Sequence, residues 1–154
     1  GRLFMQDCVK AMPRLAISMN KVNGAYYYCA RKLGVKENTL ALLYALDDGE
    51  PHTQKQINED WLIPKTTINT IVKELMAAGY ITLLHERQTR EKTILLTDEG
   101  KAYTRGLLKT IYTAEQIALK KTLQEFTPEF IDAFDCFATH LCSEFHKQIL
   151  DLKK

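Results

Sequence analysis

Lys, Arg, Asp or Glu interrupts every apolar segment of this 154-residue chain, and none approaches the run of about 18 apolar residues that crosses a bilayer. A membrane partner is therefore not expected. The opening Gly1-Arg2-Leu3-Phe4-Met5 has no basic region followed by a continuous apolar stretch and a small-residue cleavage site, so no secretory signal is expected either. Cysteine is sparse and scattered: Cys8, Cys29, Cys136 and Cys142 include no CxxC pair, which argues against a disulfide scaffold or a zinc finger and fits a reducing cytoplasm. With only 7 Gly and 4 Pro and no low-complexity tract, disorder is excluded as the organising principle. Neither sign of charge dominates, since 21 basic residues face 19 acidic ones for a net +2. The global field favours a polyanion only weakly, so nucleic-acid binding has to be argued from local placement. No GxSxG, HExxH, GxGxxG or P-loop pattern occurs, and the acidic residues are spread over helix surfaces, so catalysis has no candidate site and no cofactor is implied.

What is present is helical periodicity. Met12, Leu15, Met19, Val22, Tyr26, Cys29 and Leu33 recur at steps of three and four and predict one apolar stripe on a long helix ended by Gly34. A second helix is expected from Glu37 to Leu46, with Leu40, Leu43 and Leu46 inward, stopping at the turn signal Asp47-Asp48-Gly49-Glu50-Pro51. Thr53-Gln54-Lys55-Gln56 reads as a capping box that starts a short third helix running to Asp60 or Trp61. Leu62-Ile63-Pro64 then turns the chain into a fourth helix, residues 65 to 78, with Gly79 placed for its C-terminal cap. Two strands, Tyr80 to His85 and Lys92 to Thr97, flank a polar tip and predict a hairpin. Thr97 caps a long helix to about Gln124, and Thr127-Pro128-Glu129 opens a last one whose Phe130, Phe134, Phe137, Leu141, Phe145, Ile149 and Leu152 form a stripe.

Two short helices joined by a tight turn and followed at once by a hairpin make a winged helix-turn-helix. The expected class is mainly α with a small β-hairpin wing and long N- and C-terminal dimerisation helices. On the fourth helix Ile68, Ile71, Val72 and Leu75 share one face, which leaves Lys65, Thr66, Thr67, Asn69, Thr70 and Lys73 facing out with no carboxylate among them. Lys and Thr reach phosphates, Asn pairs with an adenine edge, and Thr offers a hydroxyl and a methyl to bases. At the wing tip Arg87 and Arg90, flanked by Glu86 and Glu91, are long charged donors suited to a minor groove. Alone, either feature reads equally well as a solvated surface.

The chain resembles the MarR family, the multiple antibiotic resistance type of bacterial regulator. The resemblance rests on Thr53 to Asp60, on Thr67-Ile68-Asn69 through Leu75 with Gly79-Tyr80-Ile81, and on Leu96-Thr97-Asp98-Glu99-Gly100. It implies one intertwined domain: residues 1–35 a dimerisation helix, 36–97 the winged DNA-binding region and 98–154 further dimerisation helices. It also implies a homodimer on double-stranded DNA with a pseudo-palindromic operator, acting as a repressor released by a small aromatic or lipophilic effector. By position, Lys65, Thr66, Thr67, Asn69, Thr70, Lys73 and Arg90 correspond to DNA contacts, and Thr53, Gln54 and Arg87 are added as candidates beside them. The resemblance also implies some effector cleft, for which Tyr26, Tyr103 and Tyr112 are candidates, although at each of these positions an aromatic on a long helix reads first as core. Gln88 stands where the family usually has an Asp that braces the wing arginine, which implies a less rigid wing, and Thr70 stands where a basic residue is common, which implies an atypical or weaker operator.

Two other readings stay open. One is a winged-helix module for protein contacts without specific DNA binding. The other is a thiol-based redox sensor using Cys8 or Cys29, although no cluster of Lys or Arg adjoins either thiol and a buried or inert cysteine reads better. Cys136 and His140 sit one turn apart, but two ligands on one helix are far from a closed metal site, and none is expected.

Overall fold

The computed structural model describes residues 5–84 and 91–152. The chain divides into two compact units, Gly1–Lys109 and Thr110–Lys154. In order, the elements are α1 (Met5–Leu33), α2 (Glu37–Leu46), β1 (His52–Thr53), α3 (Gln54–Trp61), α4 (Lys65–Ala77), β2 (Ile81–Leu84), β3 (Thr93–Leu96), α5 (Asp98–Glu125) and α6 (Glu129–Phe145). A π-helical turn, His146–Leu150, continues α6. The class is as expected, mainly helical with one small antiparallel sheet.

Helix ends follow local chemistry. At the end of α1, Gly34 takes φ 75°, and the N–H groups of Gly34 and Val35 donate to the carbonyls of Arg31 and Ala30 at 3.2 and 3.0 Å. Gly79 repeats the arrangement after α4 at φ 82°, with Gly79 and Tyr80 donating to Met76 and Leu75 at 3.0 and 2.9 Å. A left-handed residue lets the chain reverse while it satisfies two carbonyls that the helix itself leaves open. The turn after α2 is closed by Asp48, which accepts from the Glu50 N–H at 2.9 Å and from His52 Nε2 at 2.7 Å. Burial works to raise the Asp48 carboxyl, but the His52 hydrogen bond and charge and the backbone N–H outweigh it and hold the group below its ordinary value.

The core of the first unit joins Leu42, Leu43 and Leu46 of α2 with Ile57, Ile63, Ile68, Ile71, Val72 and Leu75, and is closed by Ile81, Ile94 and Leu96 of the sheet. Each such side chain contributes about 1.5–3 kcal/mol on leaving water. From α1 the buried residue is Ala30, at 1% exposure, whereas Val22, Cys29 and Leu33, which apolar spacing assigns to the stripe, are exposed. A search for large apolar residues passes over an alanine, yet a small side chain is what lets one helix approach another closely.

The sheet has the order β1-β3-β2, so the hairpin carries a third strand of two residues that apolar patterning does not reveal. His52 and Thr53 pair with Ile94 and Thr93, while Leu83 and Leu84 take the same two partners from the other side. Central β3 is consequently the most buried strand. Thr53 accepts from the Gln56 N–H at 3.0 Å, the forward half of the expected capping box. The return bond from the Gln56 side chain is not formed, and Thr53 is at once the cap of α3 and the last residue of β1.

Where the sheet hands over to α5, the Thr97 hydroxyl donates to the Gly79 carbonyl at 2.6 Å and accepts from the Gly100 N–H at 3.0 Å. The Thr97 N–H donates to the Tyr80 carbonyl at 3.0 Å. A Cβ at Gly100 would overlap that same carbonyl group, lying 2.8 Å from its carbon, so the first turn of α5 packs against bare backbone. Gly106, by contrast, has nothing within 4 Å of where a Cβ would lie. Gly100→Ala is therefore expected to lower stability by about 1–3 kcal/mol, and Gly106→Ala to raise it by up to about 1 kcal/mol. Urea unfolding of the two variants checks this, and equal effects would contradict the packing described.

Candidate nucleic-acid interface

Helices α3 and α4 meet through a three-residue turn, Leu62-Ile63-Pro64. Ile63 is buried at 1% exposure, and its carbonyl accepts from Asn58 Nδ2 at 2.6 Å, which ties α3 to the turn. Trp61 sets its ring edge-to-face against Tyr44 at 5.5 Å between centroids. Leu62 takes a left-handed φ of 51° with its side chain 84% exposed. Pro64 precedes the first residue of α4 and supplies no side-chain cap, so the amides of the first turn have no side-chain acceptor there.

On α4 the four expected inward residues, Ile68, Ile71, Val72 and Leu75, are all buried. Lys65, Thr66, Thr70 and Lys73 are exposed on the opposite side, while Thr67 and Asn69 are half-buried rather than fully outward. The Thr70 hydroxyl donates to the Thr66 carbonyl at 3.1 Å, which commits its proton to the helix and leaves its oxygen as an acceptor. Thr53 and Gln54 are half-buried at the start of α3. Arg87 and Arg90, with Glu86 and Gln88, lie outside the described residues.

Beside this face lies a groove of about 510 Å³. Its walls come from Gln54, Lys55 and Asn58 of α3 and from Lys65 and Asn69 of α4, with Ile68 beneath. Glu91 and Lys92, which lead into β3, close the third side. Lys55, Asn58 and Lys92 are absent from the contacts expected by position. The two-residue strand β1 brings them together, because its pairing with β3 lets the Gln54 N–H donate to the Lys92 carbonyl at 2.9 Å. A strand that short has no periodicity to detect.

The other nominated residues are placed as follows. Tyr26 and Tyr103 belong to the first unit and Tyr112 to the second, each half-buried. The Tyr103 ring stacks on Tyr80 at 4.3 Å with an interplanar angle of 1°, and both pack against the core. All four cysteines are free and exposed, so of the two inert readings offered for Cys8 and Cys29 burial does not apply. Among the described residues no group of three His, Cys, Asp or Glu is placed to hold a metal ion, and no helix is long and apolar enough to cross a membrane.

Residues 33–91 match the sequence model of the MarR family. Among solved structures, a MarR family regulator from Neisseria meningitidis is 24% identical, with 93% of this chain and 99% of that one aligned at a TM-score of 0.73. A MarR family transcriptional regulator from Silicibacter pomeroyi is 18% identical over 82% of this chain and 91% of that one, at a TM-score of 0.68. The same fold occurs in the transcriptional repressor CouR bound to a 23-mer DNA duplex, 16% identical at a TM-score of 0.60 over 92% of this chain and 99% of that one. It occurs also in NadR in complex with 4-hydroxyphenylacetate, 13% identical at a TM-score of 0.62 over 92% and 94%. A search of curated proteins finds no match. The resemblance read from the sequence thus holds, by sequence over residues 33–91 and by fold over nearly the whole chain.

The strained turn yields a direct check. A left-handed leucine costs roughly 1–2 kcal/mol in backbone strain, and the exposed Leu62 side chain returns little packing. Leu62→Gly is expected to raise stability by about 0.5–1 kcal/mol after the greater backbone entropy of glycine is counted. Unchanged or lower stability in chemical denaturation would show that the side chain contributes more than its exposure suggests.

Proposed function

We propose that this chain, which has the fold of the MarR family of transcription regulators and the family's sequence pattern over residues 33–91, is a sequence-specific binder of double-stranded DNA. The observation that carries the reading is α4: one face buried as Ile68, Ile71, Val72 and Leu75, the other polar and free of carboxylate from Lys65 to Lys73. Lys65, Thr66, Thr67, Asn69, Thr70 and Lys73 are assigned to the major groove and its phosphates, Thr53 and Gln54 to the backbone, and Arg87 and Arg90 to the minor groove. The uncapped amides at the start of α4 add partial positive charge toward the duplex.

The proposal includes a homodimer. Phe130, Phe134, Phe145 and Ile149 are 45%, 43%, 48% and 62% exposed in the single chain, more apolar surface along one helix than a soluble monomer ordinarily carries. A second copy related by a twofold axis would cover it. Twofold symmetry in turn calls for two inverted half-sites about one helical turn, roughly 10 base pairs, apart. A ligand that changes the separation of the two reading helices must weaken DNA binding by as much as DNA weakens the ligand. On that basis the regulator is a repressor released by a small aromatic or lipophilic effector, for which Tyr26, Tyr103 and Tyr112 are the nominated side chains.

Titration of variants against labelled duplex tests the assignment. Asn69→Ala and Thr70→Ala should change base preference, by about 1–3 kcal/mol where a bidentate contact is lost. Lys73→Ala and Arg90→Ala should weaken binding to all sequences and flatten its salt dependence. Affinity unchanged by both Asn69→Ala and Arg90→Ala would remove α4 and the wing as the reading surface. Separately, the full-length protein should sediment as a dimer at micromolar concentration and Phe134→Glu should shift it toward monomer. A monomeric parent protein would overturn the dimer.

A further inference from the structure

The groove between α3, α4 and the entry to β3 has an unbalanced electrostatic composition. Three lysines line it, Lys55 of α3, Lys65 of α4 and Lys92 just before β3, against the single carboxylate residue Glu91. None of these four side chains forms an ion pair within 4 Å among the described residues, although each is exposed and able to turn toward a partner. Converging like charges repel one another, and the buried side chain of Ile68 beneath them lowers the local dielectric, so an anion in the groove is favoured more than on an open surface. Gln54 and Asn69, on opposite walls, add amide donors at the same place. Asn69 is also a residue of the reading face, so whatever fills the groove lies against the same ligand as the outer side of α4.

The geometry points to one phosphodiester of the DNA backbone as the occupant, held by Lys55, Lys65 and Lys92 together, with Glu91 opposing it. This rests on the DNA-binding reading above and deepens it. The groove fixes how the helix pair and the wing base sit on one strand, a positioning contact that carries no base information. The volume admits the phosphate with its flanking sugar carbons. Glu91, which lines the same groove, opposes the incoming charge and so holds affinity below what the three lysines alone would give.

The test is fluorescence anisotropy of the full chain with a labelled random-sequence duplex over a series of KCl concentrations, for the parent protein, the double variant Lys55→Ala/Lys92→Ala, and Glu91→Gln. All three should melt alike, since the altered side chains are exposed. Loss of one neutralised phosphate should flatten the slope of log K against log salt by about 0.9 per subunit in the double variant, equally on any sequence. Glu91→Gln should tighten binding about two- to fivefold at low salt and lose that advantage at high salt. A parent that binds duplex while both variants match it in slope and affinity would overturn the groove assignment and leave the DNA-binding reading standing. A change in base preference without a change in slope would place the lysines on base edges and equally overturn it. A parent that retains no duplex at low salt would overturn the DNA-binding reading itself, and the groove assignment with it.

Discussion

A helix of thirteen residues can hold a polar face toward a ligand only if its other face is held in turn, and for α4 the hold is the burial of Ile68, Ile71, Val72 and Leu75. These four sit in the core formed by α2, α3 and the sheet, so the angle and rotation of α4 are set by packing rather than by intrinsic helix propensity. Rotation by one residue would turn each apolar side chain away by about 100° and bring Lys73 or Asn69 into the core. The free energy that folds the first unit therefore also fixes which side chains face outward.

A backbone junction extends that constraint from α4 to the helix that follows the sheet. Gly79 reverses the chain after α4, its carbonyl accepts from Thr97, and Thr97 in turn caps α5. Gly100 lets the first turn of α5 lie against the Tyr80 backbone, and the Tyr80 ring stacks on Tyr103 one turn further along. These bonds place the end of α4 directly against the start of α5, although about twenty residues of chain lie between them.

Much of this was legible in the residues. The inward face of α4, the glycines at 34 and 79, the Thr53 and Thr97 caps and the turn at Leu62-Ile63-Pro64 are local signals, each set by chemistry within a few positions, and each has its counterpart in the structure. What escaped was non-local. Ala30, which lies outside the apolar stripe of α1, is the residue of that helix buried within the single chain. Strand β1 is too short for a pattern, and with it the meeting of Lys55 and Lys92 across the groove stayed hidden. The left-handed Leu62 was equally invisible, since nothing in a leucine announces positive φ. Single side chains on α4 were placed by periodicity, yet their neighbours on other elements depended on pairing that only the fold reveals.

The central claim is that the outer face of α4 reads DNA in two copies at once. Selection of bound duplexes from a random-sequence library by the full-length protein tests it most directly. The account predicts enrichment of one inverted repeat whose half-site centres lie roughly 10 base pairs apart, as two symmetry-related helices in successive major grooves demand. Recovery of a library still random in sequence after repeated rounds, or of a single site without a symmetric partner, would contradict it.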